Sequence, residues 1–65
     1  MAKDYKILHK KYINEEDAYD WIVKEKERLI NLNNEILNDD VTNIYNFKSQ
    51  KRLWYATIYY KQKGI

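Results

Sequence analysis

The sequence predicts a small α+β domain of order β-α-β-β, one helix packed on a three-stranded antiparallel sheet with strand order 1-3-2. Three observations carry that prediction. Residues 53–60, Leu-Trp-Tyr-Ala-Thr-Ile-Tyr-Tyr, hold no charge, Gly or Pro in a chain that is 34% charged, and their β-branched and aromatic content marks a strand. Asn14 followed by Glu15, Glu16 and Asp17 reads as the start of a helix. Charge is divided by segment: residues 1–14 carry four Lys and one Asp, 15–40 nine acids and three bases, and 41–65 five bases and no acid. That is the pattern of an acidic helix lying on a basic sheet.

Residues 5–13 form the first strand. They alternate Tyr5, Ile7, His9, Lys11 and Ile13 on one side with Lys6, Leu8, Lys10 and Tyr12 on the other. The Asn14 side chain is expected to accept from the amide of Asp17, whose carboxylate reaches back, and the acids of the first turns complement the helix dipole. Ala18, Ile22, Leu29, Leu32 and Ile36, with Trp21 beside them, draw one apolar stripe. It is interrupted at the solvated mixed-charge run 24–28. Asn31, Asn33 and Asn34 weaken the helix, because Asn side chains compete for backbone hydrogen bonds. Unless it kinks or stops there, it runs to about residue 38 and ends at Asp39-Asp40.

Residues 41–48 and 52–61 form a hairpin around Ser49-Gln50 or a slightly longer loop. No Gly, Asn or Asp occupies that turn, so tight primed turns are disfavoured and the register stays open. A two-residue turn puts Val41, Tyr45 and Phe47 on one face with Trp54, Ala56, Ile58 and Tyr60. Ile44, Leu53, Tyr55, Thr57 and Tyr59 take the other. The most apolar strand belongs in the middle, where both its edges are paired.

Sixty-five residues make one domain, and a chain this short buries only about 60% of the surface its unfolded form exposes. Its core is therefore marginal, and association with a partner or a second copy is expected. With no Cys, disulfides and thiolate metal sites are excluded. The only Gly is Gly64, so no Gly-rich phosphate loop exists. His9 and Ser49 are the only His and Ser, one in a strand and one at a turn, and nothing unites them as a nucleophile pair. The carboxylate pairs Glu15-Glu16 and Asp39-Asp40 fall at expected helix ends, where capping and solvation account for them. No catalytic residue, metal or cofactor is expected. The start Met1-Ala2-Lys3-Asp4 leads into charged residues rather than an apolar signal segment, and no stretch approaches the roughly 20 apolar residues of a membrane span, so a cytoplasmic location is the expectation. Asn, Lys, Ile and Tyr make up 32 of the 65 residues, which suits an A+T-rich genome such as a low-GC bacterium or its phage.

One helix covers one face of such a sheet. The face with Trp54, Ala56 and Ile58 is the expected core, because alanine at its centre lets the helix approach. The other face leaves Ile44, Leu53, Tyr55 and Tyr59 as an apolar and aromatic patch, the composition of a protein interface. It serves either a homodimer, sheet face to sheet face, or a different protein. Two further surfaces bear on function. Lys48, Lys51 and Arg52 at the hairpin tip, with Lys61 at a strand end, suit nucleic acid if Tyr55 and Tyr59 stack on bases. Glu16, Asp20 and Glu27 present negative charge on the helix, which suits occupation of a basic groove on an enzyme. The sequence thus points to a non-enzymatic accessory or inhibitor protein, phage-like and dimeric, that blocks a host enzyme or defence complex. A small nucleic-acid-binding protein is the alternative.

Overall fold

A computed structural model describes residues 5–63; residues 1–4 and 64–65, Gly64 among them, lie outside the described residues. The elements are β1 (Lys6–Tyr12), α1 (Glu15–Asn31), β2 (Asn34–Asn46) and β3 (Lys51–Gln62). Both strand pairings are antiparallel and the order is β1-β3-β2. The fold class, the strand order and the central place of β3 agree with the expectation.

The helix begins where the sequence places it, by a different bond. Asn14 is extended (φ −108°, ψ 138°) and its side chain makes no bond to the backbone. The side-chain amide donates to the Asp17 carboxylate at 3.1 Å instead, while the Asn14 backbone carbonyl accepts from the Ala18 amide at 3.3 Å. Ala18, Ile22 and Leu29 then turn inward at helical spacing.

The helix stops earlier than the apolar spacing implies. Asn33 adopts φ 65°, the left-handed conformation that ends helices and that Asn tolerates better than most residues. Its backbone amide donates to the Ile30 carbonyl at 3.0 Å. The side-chain amide of Asn34 donates to the Leu29 carbonyl at 3.0 Å, filling the place that a backbone amide takes in the glycine-ended motif. Residues 34–40 are consequently strand, Leu32 is exposed beyond the helix, and Ile36 reaches the core from β2. Asn33→Gly is expected to hold or raise stability, whereas Asn33→Val, forced into the left-handed region, loses about 1–2 kcal/mol. Urea titration of the two variants checks this.

The hairpin register also differs from a two-residue turn. Asn46 pairs with Lys51, so residues 47–50 form a four-residue loop. The Asn46 side-chain oxygen accepts from the Lys48 and Ser49 amides at 2.9 and 3.3 Å, and Gln50 takes φ 56°. Two residues added to the loop leave every side chain on its expected face, because faces alternate with a period of two. Phe47 and Lys48, expected in the strand, leave the sheet for the loop; Phe47 is 83% exposed and lies edge-on to Tyr45, with ring centroids 4.9 Å apart.

The β2–β3 hairpin outruns its neighbours. β1 ends at Tyr12 opposite Trp54, while the hairpin continues through Ile44 to Asn46 and Lys51 to Leu53. A compact chain of 65 residues has a radius of gyration of about 11 Å; this one has 13.9 Å, because the hairpin projects. The buried core among the described residues is small: Ala18, Ile22, Leu29, Ala56 and Ile58, ringed by Leu8, Tyr12, Trp21, Ile36, Val41, Trp54 and Tyr60. Tyr45 and Phe47 were expected on the same face as this core. They lie past the start of the helix, which leaves them uncovered.

Candidate functional site

The three strands bring the expected patch together on the face opposite α1. Ile44 pairs directly with Leu53, Thr42 and Lys11 flank Tyr55, and Tyr59 stands between Asn38 and Ile7. Directly opposed residues share a face, so Ile44, Leu53, Tyr55 and Tyr59 form one surface. Ile7 is the apolar residue that β1 adds to it, 49% exposed. Tyr5 joins at the end, its ring 6.2 Å from that of Tyr59. α1, the only helix among the described residues, packs on the other side, and Leu53, Tyr55 and Tyr59 stay partly exposed.

This face is apolar along its middle and mixed in charge at its rim, with Asp40 on the β2 side. Lys11 and Lys51 stand on it, together with His9 opposite Thr57. Lys61 is 4.0 Å from Glu35, its partner across the β2–β3 pair. The opposite face carries more acid, but much of it is paired with base: Asp20 with Lys24 at 2.9 Å, Glu25 with Arg28 at 2.6 Å, and Asp39 with Lys26 at 2.9 Å. The hydrogen bond from Lys24 to Asp20, and then their attraction, raise the lysine pKa above its usual value.

The basic residues are less united than the sequence suggested. Lys48, Lys51 and Arg52 do gather at the projecting tip, but Lys51 and Arg52 are strand neighbours and point to opposite faces. The Arg52 guanidinium already donates to the Asn43 side chain at 2.6 Å. Lys61 sits at the far end of β3, ten residues or about 33 Å from Lys51. Lys10, on the helix side, lies over the Tyr12 ring at 5.3 Å. The acidic set fares better geometrically: Glu16, Asp20 and Glu27, four and seven residues apart, share the outer face of α1. Lys24 tempers it by engaging Asp20.

The carboxylate pair Asp39-Asp40 was expected at a helix end and lies within β2 instead. Successive strand residues point to opposite faces, so Asp39 turns to Lys26 while Asp40 opposes Thr57 on the open face. The two carboxylates therefore do not converge. His9 pairs with Thr57 and Ser49 lies in the hairpin loop, roughly 20 Å or more along the strand from one another. Among the described residues no helix is long and apolar enough to cross a membrane.

No family model, curated protein or solved structure matches this chain.

Proposed function

We propose that the chain is a non-catalytic accessory or inhibitor protein that binds another protein through the open sheet face. The observation that supports this reading is the continuity of Ile7, Tyr59, Tyr55, Leu53 and Ile44 across all three strands, with no covering element among the described residues. Tyrosines flanked by aliphatic groups on a rigid sheet supply contact area at low entropic cost. Lys11 and Lys51 at the rim favour a partner surface that is apolar at its centre and acidic beside β1 and the hairpin tip, while Asp40 favours a base beside β2.

The test is photo-crosslinking from position 55 in cells that make the protein natively. A protein adduct is expected that Leu53→Glu abolishes and Glu27→Gln leaves. Adducts that persist in Leu53→Glu overturn the reading, as does crosslinking to nucleic acid alone.

The projecting basic tip supports a second reading, binding of nucleic acid. Titration with single-stranded and duplex DNA at about 50 mM and 200 mM salt decides it, because phosphate binding falls steeply with salt. The split of Lys51 and Arg52 between two faces leads us to expect no binding at the lower concentration. Tight binding with a steep salt slope reverses the order of the two readings.

A further inference from the structure

The outer edge of β2 and the flank of α1 beside it lie side by side, and neither has a partner in the described chain. From Val41 to Asn46 the edge carries no charge, no Pro and no register shift, whereas open edges are commonly blocked by Lys, Pro or a bulge; the guarded part of β2 is its first half, with Asp39, Asp40 and the irregularity at Leu37. The other edge, β1, is protected by Lys6, Lys10 and Lys11. On the helix, Tyr19, Val23 and Ile30 are each more than half exposed. Their spacing of four and seven puts them on one flank together with Lys26. The Lys26–Asp39 bridge at 2.9 Å turns that flank toward β2.

We propose that two copies of the chain join antiparallel through their β2 edges, extending the sheet to six strands of order 1-3-2-2-3-1 with both helices on one side. This goes beyond the function proposed above and uses a different surface. The spacing is compatible with it. α1 lies over β2 and β3 about equally and about half as much over β1, so its axis falls between β2 and β3, nearer β3. Two-fold symmetry then separates the helices by about 12 Å, two and a half strand spacings, a little more than the 8–10 Å of closely packed helices, a gap that a large side chain such as Tyr19 fills.

Charge narrows the register, and the level of the helix flank selects within it. A two-fold axis normal to the sheet keeps like faces together, so one residue of β2 sits on it. An axis at Asp39 or Asp40 would oppose identical carboxylates. An axis beyond Ile44 would slide the helices apart and bring the acidic turns Glu15, Glu16 and Asp17 of the two copies together. With Val41 on the axis, Asp39 faces Asn43 and Asp40 faces Thr42. Tyr12 stands level with Asn43 through Trp54, and from there rises of about 1.5 Å per helical residue and 3.3 Å per strand residue bring Tyr19 and Val23 around the level of Val41. Tyr19 of one protomer then meets Val23 of its partner. Leu37, at the irregularity between Ile36 and Asn38, faces the partner's Tyr45, which projects past the start of its own helix.

Light scattering and single-cysteine crosslinking test this, since the chain has no Cys of its own. The wild type is expected to be a dimer at high micromolar concentration, Val23→Glu a folded monomer by circular dichroism, and Leu53→Glu still a dimer. Under oxidation Val41→Cys should link two chains. Ile44→Cys should not, because its mate lies six residues or about 20 Å away. A monomeric wild type overturns the proposal. So does a dimer that Leu53→Glu dissociates and Val23→Glu preserves, and crosslinking from 44 but not from 41 overturns the register.

Discussion

Ile58→Ala is expected to cost about 2–5 kcal/mol, the loss of transfer energy plus an unfilled cavity. Ile58 is the largest fully buried side chain among the described residues, and it stands in the central strand between Leu8 of β1 and Asp39 of β2. A 65-residue domain holds only about 3–10 kcal/mol in all, so the variant loses about a fifth of its stability or more and is largely unfolded if the wild type lies at the low end. Ile58→Val, one methyl smaller, should lose about 0.5–1.5 kcal/mol. Urea unfolding followed by the fluorescence of Trp21 and Trp54, both packed on the core, measures the difference. It must be run at one protein concentration, because association adds to apparent stability. An Ile58→Ala variant within about 1 kcal/mol of wild type would mean that the site collapses around the missing atoms, and the small core would not be what limits stability.

The two faces of β3 were legible in the sequence because a strand has a period of two and the run 53–60 contains no residue that interrupts it. Trp54, Ala56 and Ile58 on one side and Leu53, Tyr55 and Tyr59 on the other follow from alternation alone, whatever even number of residues the hairpin loop holds. The end of the helix was not legible for a definite reason. Leu32 and Ile36 continue the three-and-four spacing past Asn31, and an apolar residue such as Ile36 faces inward equally well from a helix or from a strand. What stops the helix is the left-handed backbone at Asn33 and the Asn34 side chain on the Leu29 carbonyl. The run of asparagines hinted at that end without locating it. The irregularity at Leu37 was invisible, and it matters: from Asn38 to Asn46 the even-numbered residues of β2 face the open side, yet Ile36 lies opposite Tyr60 on the helix side. Only an extra residue between them reverses the alternation. No residue type announces such a bulge. That Ile44, Leu53, Tyr55 and Tyr59 share one face followed from the alternation of β3 and its partner, whereas the place of Asp39 on the β2 edge, opposite Lys26, emerged only once that strand was known to begin at Asn34.

Ala56→Leu is expected to lower stability by about 1–3 kcal/mol through overpacking, and the reason bears on function. Ala18 of α1 and Ala56 of β3 are both fully buried in one cluster, so the helix approaches the sheet across two of the smallest side chains. A leucine at 56 has no room unless the helix withdraws. Ala18→Gly restores some room at a cost of about 1 kcal/mol in helix propensity. The double variant should therefore be more stable than the two separate losses imply, by at least about 0.5 kcal/mol, the coupling expected of residues in contact. Strict additivity would show that the closest approach of helix and sheet lies elsewhere. Binding at the open face should respond differently. Leu53, Tyr55 and Tyr59 project from the other side of the same strand, so displacement of the helix leaves their spacing intact, and molecules of Ala56→Leu that remain folded should crosslink from position 55 as the wild type does. A loss of crosslinking that exceeded the loss of folded protein would instead tie the platform to the packing behind it, with the helix holding the curvature of the sheet that a partner recognises.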